Sequence, residues 1–163
     1  MTRYATGRLV AVSVVALVLE LTALDALSWG GGRPELVLAI ACFAALFARD
    51  AVQSSVACWT LGLMKDLGSA GHLGWHALVY LLVGAFLVRV RLVIFRDHVV
   101  TQLAVGAAAA AAVALATAAF VSLTQGSLPA GVWAGRIVAT TLLTALAAPM
   151  VMTALAEARF LRS

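Results

Sequence analysis

Charged residues are scarce in this sequence. They make up 11% of its 163 residues, whereas hydrophobic residues make up 64%. An ordinary soluble domain is about 25% charged, and a soluble fold of this composition would have too little polar surface to cover its exterior. The composition therefore excludes an ordinary soluble domain. It predicts an all-α integral membrane protein in which residues 1–163 form one polytopic membrane domain, with loops too short to hold a soluble domain.

Reactive and metal-binding patterns are also missing. The two cysteines, Cys42 and Cys58, lie inside apolar segments and have no metal-ligand spacing to a histidine, so we expect small core residues rather than disulfides or ligands. His72 and His76 are four residues apart but lack further ligands. No metalloprotease, serine-hydrolase or P-loop motif is present. We therefore predict a protein that is not an enzyme and has no metal or cofactor.

Six apolar segments predict six membrane spans, since a helix needs about 20 residues to cross the apolar layer. They cover residues 9–27, 36–48, 51–64, 73–88, 99–121 and 132–155. The second and third are short. Joined into one helix, they would place Arg49 and Asp50 at the membrane centre, which is costly, so a hairpin is predicted between them. A re-entrant hairpin would remove two crossings, an even number, and so would leave the predicted orientation of the other spans unchanged.

The basic residues predict the orientation. With a cytoplasmic N-terminus, eight of the eleven Lys and Arg residues fall on the cytoplasmic side. The other three are Arg33, Lys65 and Arg136. This bias predicts both termini in the cytoplasm, and topology alone accounts for the net charge of +4 without a nucleic acid. Trp29, Trp75 and Trp133 would lie at outer ends of spans, whereas Trp59, in the middle of a span, is expected to pack inside.

Two features inside the spans have alternative interpretations. Glu20 is an intramembrane carboxyl, so it is either a functional site or a protonated group hydrogen-bonded to a neighbouring helix. Asp25 lies about 140° further round the helix, too far to share one site. Gly131 and Gly135 form a G-x-x-x-G pair that permits close helix contact. We expect this pair to pack inside the bundle, the alternative being a docking face for a partner's transmembrane helix.

The middle of the chain resembles a known family. Arg-Pro precedes span two, and "GLMKDLGSAGHLGWHALVYLLVGAFLVRVRLVIFRDHVVTQ" covers residues 62–102. The order G-x-x-x-D, small-residue turn, L-G-x-x-A-L and basic F-R loop resembles MreD, the rod shape-determining membrane protein of bacteria. The matching residues are Arg33, Pro34, Gly62, Asp66, Leu73, Gly74, Ala77, Leu78, Phe95, Arg96 and Gln102.

The resemblance implies a six-span subunit of the bacterial cytoplasmic membrane that binds the single-span protein MreC. With MreC it would help to organise the MreB filament, the elongation transpeptidase and the RodA-type glycosyltransferase, and so peptidoglycan synthesis and cell shape. Membrane lipids are the other expected contact. The bundle is also similar to the substrate-binding components of energy-coupling-factor transporters, which makes a vitamin-transporter component the alternative. The partner-interaction candidates are Arg33, Pro34, Gly62, Asp66, Gly74, His76 and Arg96.

Within this motif, Asp66 has a specific predicted contact. It stands where span three meets the outer turn, so its carboxylate can accept hydrogen bonds from the free N–H groups that begin helix four, around Gly74 to His76. The neighbouring Lys65 is expected to extend towards the lipid headgroups. The alternative is an ordinary solvated turn, because charges are common at membrane rims.

Overall fold

A computed structural model of the chain describes residues 3–22, 31–48, 50–69, 72–91, 98–124 and 129–157, with side chains from residue 11 onward except that of Ala130. Within these ranges the chain forms six α-helices. They are α1 (Arg3–Thr22), α2 (Leu36–Phe47), α3 (Ala51–Gly68), α4 (Trp75–Val90), α5 (Val99–Thr124) and α6 (Ala130–Glu157). The all-helical prediction is confirmed.

The break predicted between the second and third apolar segments is present. α2 ends at Phe47, and α3 begins at Ala51. Between them Ala48 and Asp50 have extended backbone, with ψ angles of 142° and 141°. At the far end of α4, Arg91 donates a hydrogen bond to the carbonyl of Ala48, where the end of α2 leaves its last carbonyls without helical partners.

α5 and α6 are long and apolar enough to cross a membrane. Their candidate spans, Val99–Thr124 and Gly131–Glu157, have mean hydropathies of 2.1 and 1.8. The helical segments Ala11–Thr22, Leu36–Phe47 and Trp75–Val90 are apolar but shorter. Among the residues that this test covers, two helices are thus both long and apolar enough to cross a membrane, and a count of six spans stays a prediction.

α2 is the central helix of the bundle. It contacts all five other helices, and ten of its twelve residues are buried. Its sequence, LVLAIACFAALF, is apolar all round, which is typical of a helix enclosed by others. Twelve residues extend about 18 Å, less than the roughly 30 Å of a bilayer core, so α2 is a short core helix surrounded by longer ones.

Small residues bring neighbouring helices into close contact. A Cβ added at Gly106 of α5 would lie 2.5 Å from the Ala148 Cβ of α6, so α5 and α6 pack nearly backbone to backbone, as the alanine-rich sequence of α5 permits. By contrast, a Cβ at Gly131 would meet nothing within 4 Å, and Gly135 is exposed. The prediction that this pair packs inside the bundle is therefore wrong, because that face of α6 points away from the other helices.

Two further predictions concern single residues. Cys42 and Cys58 are buried and unbridged, which confirms them as small core residues. Trp59 is 46% exposed, so the expectation that it packs inside is wrong. Its ring lies on the outer surface of α3, where an apolar side chain is unremarkable if that surface faces lipid.

Candidate functional site

A cavity of about 400 Å³ opens at the end of the bundle where α1, α3 and α5 end and α2, α4 and α6 begin. We call this the cavity end. Side chains from opposite parts of the chain meet there, and several of them are charged. The lining residues include Glu20, Arg33, Glu35, Lys65, Trp133 and Arg136.

Asp66 joins α3 to the start of α4 at the cavity end. Its carboxylate, 2% exposed, accepts hydrogen bonds from the backbone N–H groups of Gly74 (2.9 Å), His76 (3.0 Å) and Ala77 (3.2 Å). The first N–H groups of a helix have no acceptor within that helix. A carboxylate placed there also interacts favourably with the positive end of the helix dipole. The capping contact predicted from the sequence is confirmed, and the alternative of a solvated turn is wrong.

The residues around Asp66 explain the spacing of the motif. Gly62 lies one turn before Asp66, and a Cβ there would fall 2.4 Å from the Ala77 Cα, so glycine lets α3 approach α4 closely. Gly74 precedes α4 with a φ of +94°, a left-handed conformation that favours glycine. The Nδ1 atom of His76 lies 2.8 Å from the Asp66 carboxylate. We call these residues, Gly62, Asp66, Gly74, His76 and Ala77, the α3–α4 corner.

Glu20 forms an ion pair with Lys65. Its second carboxylate oxygen accepts a hydrogen bond of 3.3 Å from the Val37 N–H at the start of α2. Glu20 is 4% exposed, so one side chain connects α1 to both α2 and α3. This corrects one expectation, because Lys65 turns into the cavity instead of towards headgroups. The hydrogen bond to a neighbouring helix, which was one of the two interpretations of Glu20, is present.

Glu35, immediately before α2, is held from two sides. Its N–H donates to the Thr144 hydroxyl of α6 (3.0 Å), and its carboxylate accepts from the Tyr80 hydroxyl of α4 (3.3 Å). Burial raises the pKa of Glu35 from 4.5 to about 7, although the Tyr80 hydrogen bond and the positive charge of Arg136 oppose this. A carboxyl with this pKa is expected to titrate close to neutral pH.

α6 contributes an aromatic ring and a cation to the cavity. The Arg136 guanidinium carbon lies 5.8 Å from the centre of the Trp133 ring, within the range of a cation–π contact. The Trp133 Nε1 atom is buried, and among the described residues no acceptor pairs with it. Arg136 itself is exposed, so this wall of the cavity presents hydrogen-bond donors.

A family model described as rod shape-determining protein MreD matches residues 3–154. The chain belongs to the MreD family. No curated protein and no solved structure matches it. MreD proteins are membrane proteins that determine rod shape. The match also extends the resemblance seen in the middle of the chain to α1 and to most of α6, where the sequence showed no MreD motif.

The residues that resemble MreD lie mostly at the cavity end. The α3–α4 corner holds Gly62, Asp66, Gly74 and His76, as described above. Arg33 lines the cavity, and Pro34 is buried next to it. Arg96 lies outside the described residues, as does the intramembrane candidate Asp25. The described part of the chain holds no cluster of metal-ligating side chains.

Sequence reasoning missed three residues of the cavity as members of one site: Glu35, Trp133 and Arg136. Trp133 and Arg136 were predicted to lie on the outer side, near the start of the sixth span, whereas Glu35 was not singled out. Their proximity could not be predicted from the sequence, since Glu35 and Arg136 are about a hundred residues apart. One signal was available. Successive helices of a bundle run up and down in turn, so the residues that begin α2 and α6 are expected at the same end.

Proposed function

We propose that this chain is a non-enzymatic membrane subunit of the bacterial elongation machinery, which binds MreC and so helps to position peptidoglycan synthesis. The family match over residues 3–154 is the observation behind this proposal. The bundle suits such a role because two of its buried carboxylates hold helices together. The Asp66 and Glu20 carboxylates both bind the starts of neighbouring helices, which favours a rigid body on which a partner can be held.

The exposed face of α6 is the proposed contact for the single span of MreC. Gly131, Gly135, Val138, Leu142 and Leu146 follow one another at helical spacing, and all are exposed. The two glycines leave room for the backbone of a second helix, which favours packing where no hydrophobic effect drives association. The MreB filament, the elongation transpeptidase and the RodA-type glycosyltransferase would then be reached directly or through MreC.

Co-purification tests this function. Tagged protein co-expressed with MreC of the same bacterium should retain it through detergent extraction. Gly135→Leu should reduce the retained fraction, since the added side chain fills the contact face. Ala112→Leu is a matched control, because Ala112 is an exposed small residue of α5. Absence of MreC from the wild-type preparation contradicts the function, and equal retention by both variants contradicts the α6 contact alone.

The proposed orientation places the cavity end outside the cytoplasm and both termini inside. It is supported by the distribution of Lys and Arg residues. An impermeant thiol reagent should label Gly31→Cys in intact cells and should not label Asp97→Cys. The native Cys42 and Cys58 are buried and serve as the unlabelled background. Labelling of Asp97→Cys without Gly31→Cys would reverse the orientation.

One observation favours a second candidate function. A cavity of about 400 Å³ with charged walls lies in the size range of small-molecule sites, as a substrate-binding component of a vitamin transporter would need. That function predicts co-purification with a pair of ATPases and retention of a vitamin. Recovery of MreC without ATPases favours the elongation role.

A further inference from the structure

The outer face of α3 carries an apolar stripe that the other described helices leave largely uncovered. Val52, Val56, Trp59, Leu63 and Leu67 follow one another at intervals of three or four residues, so they lie on one side of the helix. All are exposed except Leu63, which is half-buried. This α3 stripe has the spacing of a seam between two helices. It lies apart from the proposed MreC contact, since α3 and α6 do not touch within the described ranges.

Trp59 distinguishes the α3 stripe from a surface made for lipid alone. Its side chain is 46% exposed, and its Nε1–H has no acceptor among the described residues. Trp59 is the ninth of the 18 residues of α3, so in a membrane-spanning α3 it lies near the middle of the bilayer. Tryptophan is ordinarily found at the membrane interfaces, where its ring contacts lipid and its N–H contacts water. In the hydrocarbon layer an N–H without an acceptor is costly, so an acceptor from a protein is expected.

An acceptor of the right kind lies next to Trp59 in the chain. The exposed Thr60 hydroxyl donates its hydrogen to the Ala57 carbonyl (2.9 Å), which leaves its oxygen able to accept. Successive helix residues are about 100° apart, so Trp59 and Thr60 flank the stripe on opposite sides and point away from each other. When two parallel helices are related by a two-fold axis, the flank of one meets the opposite flank of the other. The same face therefore supplies both the donor and the acceptor, at nearly the same depth.

We propose that two copies of this chain pair through their α3 stripes, side by side in the membrane. Each Trp59 Nε1–H donates to the Thr60 hydroxyl of the partner copy, so the symmetry gives two equivalent hydrogen bonds. Val56 and Leu63 lie between these bonds and pack against their counterparts. The pairing rests on the proposed crossing of the membrane by α3 and not on MreC binding. It leaves the α6 face free, so each copy can still hold its own MreC.

Cysteine cross-linking of the full-length protein in vesicles of a neutral phospholipid tests the pairing. Val56→Cys, at the centre of the stripe, should form a disulfide-linked dimer on mild oxidation. Leu82→Cys is a matched control that should stay monomeric, because Leu82 is 61% exposed near the middle of α4. The native Cys42 and Cys58 are buried and should give no link in the wild type. Equal linkage of the two variants would indicate random collision and would overturn the proposal.

Conservative variants test the hydrogen bonds. Trp59→Phe keeps an aromatic ring without the N–H, and Thr60→Val keeps the side-chain shape without the acceptor. Each should weaken dimerisation about fivefold to tenfold, measured by energy transfer between labelled copies as the protein is diluted in the vesicles. The double variant should be no weaker than either single one, since each change removes both bonds. Thr153→Val is the control, because this exposed α6 hydroxyl also bonds to its own helix, and it should dimerise like the wild type.

Two results separate this pairing from the proposed function. Dimerisation of folded Trp59→Phe and Thr60→Val proteins at wild-type strength overturns the pairing, whatever happens to MreC. When MreC is co-expressed, linkage of Val56→Cys to MreC instead of to a second copy also overturns it, because the occupant of the stripe is then the partner. Linked Val56→Cys dimers in a preparation that lacks MreC support the pairing and contradict only the function.

Discussion

The Asp66 carboxylate lies 2.9 Å from the Gly74 nitrogen and 3.0 Å from the His76 nitrogen, so α4 begins on a side chain of α3. Most helices are capped by a residue next to their own first turn. Here the residue before α4 is Gly74, which has no side chain to offer, and the cap comes from a residue eight positions earlier. The position of α4 is thereby coupled to that of α3.

Asp66→Ala should therefore be strongly destabilising. It removes the acceptor of three backbone N–H groups, one buried and two partly buried, and a loss of about 3 kcal/mol in the free energy of unfolding is expected. Asp66→Asn should be milder, since one oxygen remains, but it should not equal the wild type, because its amide NH2 would oppose a backbone donor. Thermal unfolding in detergent measures both. Asp50→Ala is the control, because Asp50 precedes α3 without a side-chain cap; if the Asp66 and Asp50 alanine variants unfold alike, the cap is unimportant.

Gly62→Ala should separate α3 from α4. The added methyl would lie 2.4 Å from the Ala77 Cα, and backbone atoms cannot move aside as a flexible side chain can. Overpacking of this kind costs about 1–3 kcal/mol. Gly131→Ala is a matched control, since the same methyl meets open space there and alanine favours helix. A Gly62→Ala protein with wild-type unfolding would show that the two helices can move apart freely.

The Glu20–Lys65 pair should show strong coupling between its two members. Glu20→Gln leaves a buried ammonium without its counterion, and Lys65→Met leaves a buried carboxylate. Each should cost about 3–5 kcal/mol, as removal of one partner of a buried pair does. The double variant should be less destabilised than the sum of the two single losses, because no unpaired charge remains. Additive losses in this double-mutant cycle would contradict a direct pairing.

The raised pKa of Glu35 predicts a pH-dependent stability. The folded-state pKa is about 7, above the unfolded value of 4.5, so the folded protein binds more protons between these two values. The Glu35 contribution is therefore fully present below pH 4.5 and declines as the pH rises to about 7. Unfolding midpoints at pH 5 and pH 8 should differ less in Glu35→Gln than in the wild type. Glu157→Gln, at an exposed residue, should keep the wild-type difference.

Local patterns in the sequence predicted much of the fold. Apolar segments located all six helices, and the cost of burying Arg49 and Asp50 located the break before α3. Asp66 was predictable because its acceptor role concerns a turn only eight residues away. The helix ends were less certain: α3 runs to Gly68, four residues beyond the predicted segment, since a membrane-span estimate measures apolar length and not where a helix ends.

Distant contacts were the part that the sequence could not supply. Lys65 looked like a rim residue because nothing near it in the chain indicates that Glu20, 45 residues earlier, lies beside it. Gly131 and Gly135 have the spacing of a packing motif, but spacing does not determine which side of α6 faces the bundle. The burial of α2 among the other helices was also missed, since an apolar sequence does not show whether lipid or protein surrounds it.

The short length of α2 affects how a transmembrane voltage would be distributed along the bundle. α2 extends about 18 Å in a bundle whose outer helices α5 and α6 have 26 and 28 residues. The cavity occupies the space beyond its first turn, and its walls reach from Trp133 to Thr140 along α6, about 10 Å. In the proposed orientation, charged side chains at that depth would make the low-dielectric layer along the bundle axis thinner than the surrounding bilayer. In the proposed orientation, an applied transmembrane voltage would therefore fall mainly across α2 and its neighbours instead of across the whole bundle.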